Sequence, residues 1–193
     1  MNQRTRVYLQ SRQDRLDMLK VMWEDPLVQH YGDKEMPPES ERENRKSIFL
    51  AGPTSRSQSL ESNWRCEAVS MLRTFGFGGF IYVPEPRGEG DHSDFTEKEL
   101  VYVWESSRLM SADSVVFWIP RNASDLIGLN TNLELGIFLG KGMSDGLNMQ
   151  SLYIGWPDNA QRMGLPGHYA EMAHENIFSS LEELCDNVAQ DMS

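Results

Sequence analysis

The sequence predicts an α/β domain built on a doubly wound, parallel, five-stranded sheet. Three observations predict it. Short unbroken apolar runs recur along the chain, as strands buried on both faces require. Segments with helical spacing separate them. Most of the runs stop at a proline or a glycine, where the chain must turn. Alternating strands and helices imply a sheet covered on both sides, and right-handed crossovers wind it in both directions. Ligands of such sheets sit beyond the carboxyl ends of the strands, where the strand order reverses.

The elements follow in order. Ser11 caps a predicted helix over about 12–24, in which Leu16, Leu19, Lys20 and Trp23 keep loose helical spacing. Residues 25–46 hold Pro26, Pro37, Pro38 and many charges and read as a linker, so residues 1–46 form an arm ahead of a domain over 47–193. Ile48 to Ala51 is the first strand of that domain, ended by Gly52-Pro53. A helix opened by Ser59 or Ser62 runs to about Phe75, with Trp64, Ala68, Leu72 and Phe75 in one stripe and Gly76 just past its end. Phe80 to Val83 is the second strand, ended by Pro84, and Ser93 or Thr96 caps a helix to about Met110. Val115 to Ile119 is the third strand, and Thr131 opens the helix after it. Ser151 to Ile154 is the fourth, followed by a helical region over about 159–174 that Gly164 and Pro166 interrupt. Ile177-Phe178 is the fifth, and Ser179 or Ser180 caps the last helix, to about Ala189.

Composition narrows the function classes. Acidic residues number 29 against 18 basic, a formal net charge of -11, which repels a phosphate backbone and argues against duplex nucleic acid as a partner. A small anion needs only a few local Arg or Lys. No run approaches the ~20 apolar residues of a membrane span, and the polar N-terminus lacks a signal-peptide core. Cys66 and Cys185 lie inside predicted helices and read as buried free thiols of a reducing cytoplasm. His30, His92, His168 and His174 form no metal-ligand pattern. Gly76-Phe77-Gly78-Gly79 precedes a strand instead of following one, and the glycines of 136–142 have the wrong spacing for a phosphate loop, so neither marks a nucleotide cofactor.

The stretch 128–142 carries the chemistry. Glu134 is expected in the first turn of the helix beyond the third strand, where the helix dipole holds a carboxylate ionised near the ligand crevice. Asn130, Thr131 and Asn132 stand beside it as hydrogen-bonding groups for sugar hydroxyls. The same spacing, Thr131-x-x-Glu134, also fits a capping box in which the carboxylate serves only the backbone. Glu105 is the candidate second carboxyl, a general acid for a leaving base, with Trp104 next to it as a stacking contact. Asp113 leads into the third strand and is a further candidate contact. After the first strand, Gly52, Ser55 and Arg56 make a loop suited to a 5′ phosphate or hydroxyl, with Arg65 one helix turn on. For Glu105 and this loop, a solvated helix face and a polar surface loop are the competing readings.

Five stretches in this order resemble the nucleoside 2-deoxyribosyltransferase family: IFLAGPTSR (48–56) leading to NWR (63–65), YVPEPR (82–87), YVWE (102–105), SADSVVFWIPR (111–121) and GLNTNLELG (128–136). The resemblance is closest to the divergent phage and bacterial branch, runs from about Ser47 to the C-terminus, and leaves out the first 46 residues. It implies a flavodoxin-like fold and a retaining mechanism without a cofactor. Glu134 matches the family's nucleophile, which attacks C1′ of a nucleoside or nucleotide and forms a covalent glycosyl-enzyme. Glu105 matches an acidic residue that contacts and protonates the base. Six residues before the nucleophile, where the transferases carry Asp, this chain has Gly128, with Asp125 and Asn130 nearby as substitutes. The resemblance also implies a homodimer or higher homo-oligomer, through about 157–176. Three functions are expected: deoxyribosyl transfer, N-glycoside hydrolysis of nucleosides or their monophosphates, and nucleotide binding without turnover. A structural protein with Glu134 as a mere cap is the contrasting case.

Overall fold

The structure is a computed structural model that describes residues 12–31, 33, 37–55, 63–86, 98–143, 150–173 and 175–192. Its centre is a parallel sheet of six strands: β1 (Val28–Tyr31), β2 (Ser47–Ala51), β3 (Phe80–Pro86), β4 (Ser114–Trp118), β5 (Ser151–Gly155) and β6 (Ile177–Phe178). The spatial order is β1-β3-β2-β4-β5-β6, every neighbouring pair parallel. Without β1 the order is that of the flavodoxin-like sheets, with the reversal at β2, between β3 and β4.

Side chains of the central strands alternate between two cores. Ile48, Leu50, Ile81, Val83, Val116 and Trp118 point to one side, where they meet α1 (Arg12–Glu24), α3 (Trp64–Thr74) and α7 (Leu181–Asp191). Phe49, Ala51, Tyr82, Val115, Phe117 and Ile119 point to the other, where they meet α4 (Lys98–Ser111), α5 (Leu129–Met143) and α6 (Gly164–Met172). Three helices therefore cover each face. The continuous apolar runs were legible as strands because both faces are buried.

The sheet has six strands where five were expected. The extra one, β1, lies in the stretch that reads as a linker, beside a short helix, α2 (Glu39–Arg42). Its sequence, VQHY, is half polar, and only Val28 and His30 of the four are fully buried, so it lacks the apolar run that marks the central strands. It pairs with β3 at the sheet edge. His30 is fully buried, and its two ring nitrogens lie 3.3 Å from the carbonyl oxygens of Glu85 and Met22, tying β1 to β3 and α1. Leu19 and Met22 of α1 complete the core against α3.

Other boundaries move for local reasons. Asn63 caps α3 by accepting from the backbone N–H groups of Arg65 and Cys66, taking the place expected of Ser59 or Ser62. Ser180 caps α7 as expected. The interrupted region near Gly164 and Pro166 is one helix, because both residues sit in its first turn, where a missing N–H costs nothing. Helix α5 begins at Leu129, two residues before Thr131, on the left-handed Gly128 (φ 64°).

Candidate active site

At the carboxyl end of the sheet, where the strand order reverses, lies an open cavity of about 290 Å³. Three chain exits build it. The end of β2 gives Phe49 and Ala51 and then Gly52, Pro53 and Thr54; the end of β3 gives Pro84; the approach to α5 gives Ile127 to Thr131. Arg65 from α3, Glu105 from α4 and Glu134 from α5 add the charges. Parallel strands bring their carboxyl ends to one side, so residues up to 85 positions apart in sequence meet here.

Glu134 sits in the second turn of α5, not the first, because the helix starts earlier than Thr131. The capping-box geometry is therefore gone: Thr131 is itself inside the helix, and the carboxylate of Glu134 accepts no hydrogen bond among the described residues. It faces the cavity instead. Burial, and then the neighbouring Glu105, push its carboxyl up to about 7, while Arg65 pulls the other way. Glu105 is likewise raised by burial and opposed by Arg65. Two half-buried carboxyls beside one cavity, together resisting full ionisation, can hold one proton between them near neutral pH. That state offers one anion and one acid.

Of the other sequence candidates, Gly52, Asn130 and Thr131 line the same cavity, Thr131 being buried. Gly52 is required there: a Cβ on it would lie 2.2 Å from the carbonyl oxygen of Trp118 and 2.6 Å from the Trp64 ring. Four candidates lie elsewhere. The hydroxyl of Ser55 donates to Asp125 at 2.6 Å, joining the β2–α3 and β4–α5 loops. Asn132 turns to Arg121, accepting from its guanidinium at 2.5 Å. Trp104 is buried; its indole N–H donates to the carbonyl of Asp33, and its ring meets Tyr31 edge-on, so it braces α4 against β1. Asp113 is at the opposite end of the strands, ahead of β4, where it accepts from the backbone N–H and hydroxyl of Ser47. An acidic residue before a parallel strand is at the strand's amino end, the wrong end for a ligand. Arg56, with Arg87 and His92, lies outside the described residues.

The position of the family's earlier aspartate is also accounted for. Gly128 has φ 64°, and a Cβ there would lie 3.2 Å from Pro53, so the place admits no carboxylate without strain. Asp125 is engaged by Ser55, and Asn130 is the polar group that reaches the cavity.

Sequence reading underweighted Arg65. Its side chain is 1% exposed and makes four contacts: Nε to the Leu50 carbonyl (3.1 Å), one Nη to the Gly52 carbonyl (2.7 Å), and the other to Thr54 Oγ1 (3.1 Å) and Glu85 (2.6 Å). Glu85 also accepts from the side-chain amide of Asn63, whose oxygen caps α3. The available signal was an arginine in the first turn of a helix whose stripe is otherwise apolar. No cluster of metal-ligating side chains occurs among the described residues, and among them no helix is long and apolar enough to cross a membrane.

Comparison with known proteins bears on fold and family. A conserved protein from Enterococcus faecalis V583 is similar in structure, with a TM-score of 0.50 at 16% identity over 76% of this chain and 99% of that one, a likeness of fold. No curated protein matches the chain. The family described as nucleoside 2-deoxyribosyltransferase like matches residues 45–144, which is more than half of the chain and includes every residue that lines the cavity. With that match and the flavodoxin-like strand order, the chain belongs to the nucleoside 2-deoxyribosyltransferase-like family.

Proposed function

We propose that this protein cleaves or exchanges the N-glycosidic bond of a nucleoside through a covalent intermediate on Glu134. The observation that carries the reading is that Glu134 and Glu105 face one cavity at the sheet's reversal point and, among the described residues, Glu134 spends no hydrogen bond on the backbone. Ionised Glu134 attacks C1′ of the sugar. The bond from C1′ to the base nitrogen breaks, and its electron pair leaves with the base, which takes the proton from Glu105. Positive charge that builds on the sugar is stabilised by the adjacent carboxylate. Glu105, now ionised, takes a proton from an incoming base or a water, which displaces Glu134. The two-carboxylate division of labour is that of retaining glycosidases.

Transfer and hydrolysis share the first half of this sequence and differ in what reaches the intermediate. Among the described residues the lining favours an uncharged nucleoside over a monophosphate. Its one cation, Arg65, is committed to Glu85, and Ser55 is committed to Asp125. The protein acts as a homo-oligomer. Leu129, Leu133 and Ile137 form an exposed stripe on α5 that borders the cavity, and Leu165, Tyr169 and Met172 are exposed on the neighbouring α6. Two buried thiols, at Cys66 and Cys185, suit a reducing cytoplasm.

The test is incubation with a panel of nucleosides and monophosphates, with and without an acceptor base, followed by chromatography of free base and exchanged nucleoside. Glu134→Ala is expected to abolish turnover while circular dichroism stays native. Turnover retained in that variant removes Glu134 as the nucleophile.

A further inference from the structure

Arg65 is an unusual group to find behind a pair of carboxyls. It is a cation with 1% of its surface exposed, held under the wall of the cavity. A guanidinium has five N–H donors in a rigid fork. Four are spent on protein acceptors: Leu50 and Gly52 carbonyls, Thr54 Oγ1 and the carboxylate of Glu85. Three of those acceptors belong to the segment where the chain leaves β2 and becomes cavity wall. The fourth anchors the fork to β3. The Trp64 ring packs on the guanidinium at 4.6 Å from its centroid, and its indole N–H donates to the Pro53 carbonyl, so the same wall is gripped from two adjacent positions of α3.

We propose that Arg65 is a positioning residue for the carboxyl pair: locked by Glu85, it fixes the Gly52–Thr54 wall and supplies positive charge that faces Glu134 and Glu105. The proposal rests on the reading of those two carboxyls as the reacting pair. Among the described residues, the charged groups around Glu134 are Glu105 from α4, Arg65 from α3 and, behind Arg65, Glu85 from β3. Arg65 favours the ionised form of both carboxyls. Glu85 partly cancels it, so the ion pair sets how much positive field reaches the cavity. A lysine keeps the charge but cannot span four acceptors lying in different directions. The two roles of Arg65, shape and charge, therefore separate by substitution.

The experiment compares wild type, Arg65→Lys, Arg65→Met and Glu85→Gln in the full chain, with two readouts. The first is the titration midpoint of Glu134, followed by NMR of protein labelled with glutamate carrying 13C at Cδ and assigned by the signal missing in Glu134→Gln. It needs no turnover. The second is kcat and KM for whichever nucleoside the wild type accepts. Arg65→Met is expected to raise the Glu134 midpoint by about half a unit or more, and Glu85→Gln to lower it, because the guanidinium is then unopposed. Arg65→Lys is expected to keep the midpoint and to lose about 10- to 100-fold in kcat, as the wall slackens. Equal midpoints in wild type, Arg65→Met and Glu85→Gln overturn the charge role, and a wild-type kcat in Arg65→Lys overturns the shape role. If Arg65→Met does not fold, Glu85→Gln alone decides the charge role. A wild type without turnover refutes the reaction proposed above, while the midpoints still decide the role of Arg65.

Discussion

Glu134 is held where an ionised carboxyl is costly. Burial and the nearby Glu105 raise its affinity for a proton to about pH 7, far above a free glutamate. The folded state binds that proton more tightly than the unfolded chain does. Protonated Glu134 therefore contributes stability that is complete below the unfolded pKa of about 4.3 and is lost as pH rises through 7. Glu134→Gln should consequently be more stable than wild type at pH 8, by on the order of 1–3 kcal/mol, and lose that advantage at pH 4. Thermal melts of both proteins across that range check the sign. A variant that gains nothing at pH 8 means that the carboxyl is not buried as described. If the two carboxyls react as proposed, one as anion and one as acid, wild-type turnover should fall as pH rises above about 7, where the pair loses the proton it shares. At this scale the sequence was informative about identity and weaker about role. The spacing of Glu134 from Thr131 fitted both a cap and a nucleophile, and the start of the helix at Leu129 removes the cap. Asp113 reads as leading into the third strand, and that position puts it at the amino ends of the strands, bonded to Ser47 and away from the cavity.

At the scale of elements, the junction of β2 and α3 is the most constrained part of the site. Gly52 passes so close to β4 that any side chain meets the Trp118 carbonyl at 2.2 Å, and backbone cannot swing aside as a side-chain tip can. Gly52→Ala should therefore destabilise the protein by about 2–3 kcal/mol or more, and the denaturation midpoint should fall while the slope is kept. A neutral result would show that β2 and β4 can separate at their carboxyl ends. The central strands and the helices between them were readable from apolar runs and from helical spacing, because burial on both faces forces those patterns. β1 was not, because an edge strand with a single paired neighbour tolerates Gln29 and leaves alternate residues only partly buried. The network from Asn63 through Glu85 to Arg65 was not readable either. It joins α3 to β3 by side-chain geometry, which spacing within any one element does not encode.

For the whole molecule, a doubly wound sheet could be expected from alternation and handedness, and its flavodoxin-like order from the family resemblance, while assembly depends on surface. Leu133 and Ile137 are 71% and 53% exposed on a stretch of α5 whose single charge, Glu134, is turned into the cavity. With a net charge of -11 on each copy, association needs a face without acids, and this stripe is one. Sedimentation at micromolar concentration should show an oligomer for wild type and a monomer for Ile137→Glu, with unchanged circular dichroism. Equal sedimentation of the two would place the contact elsewhere. The added strand β1 also bears on assembly. It ends the sheet with four residues, a register irregularity after His30, and a backbone N–H of His30 that donates to the Asp33 side chain. The far border, β6, is only two residues long. Neither margin offers a long straight row of unused amides to a passing chain. Growth by strand addition, the route toward fibres, is thus blunted at both ends.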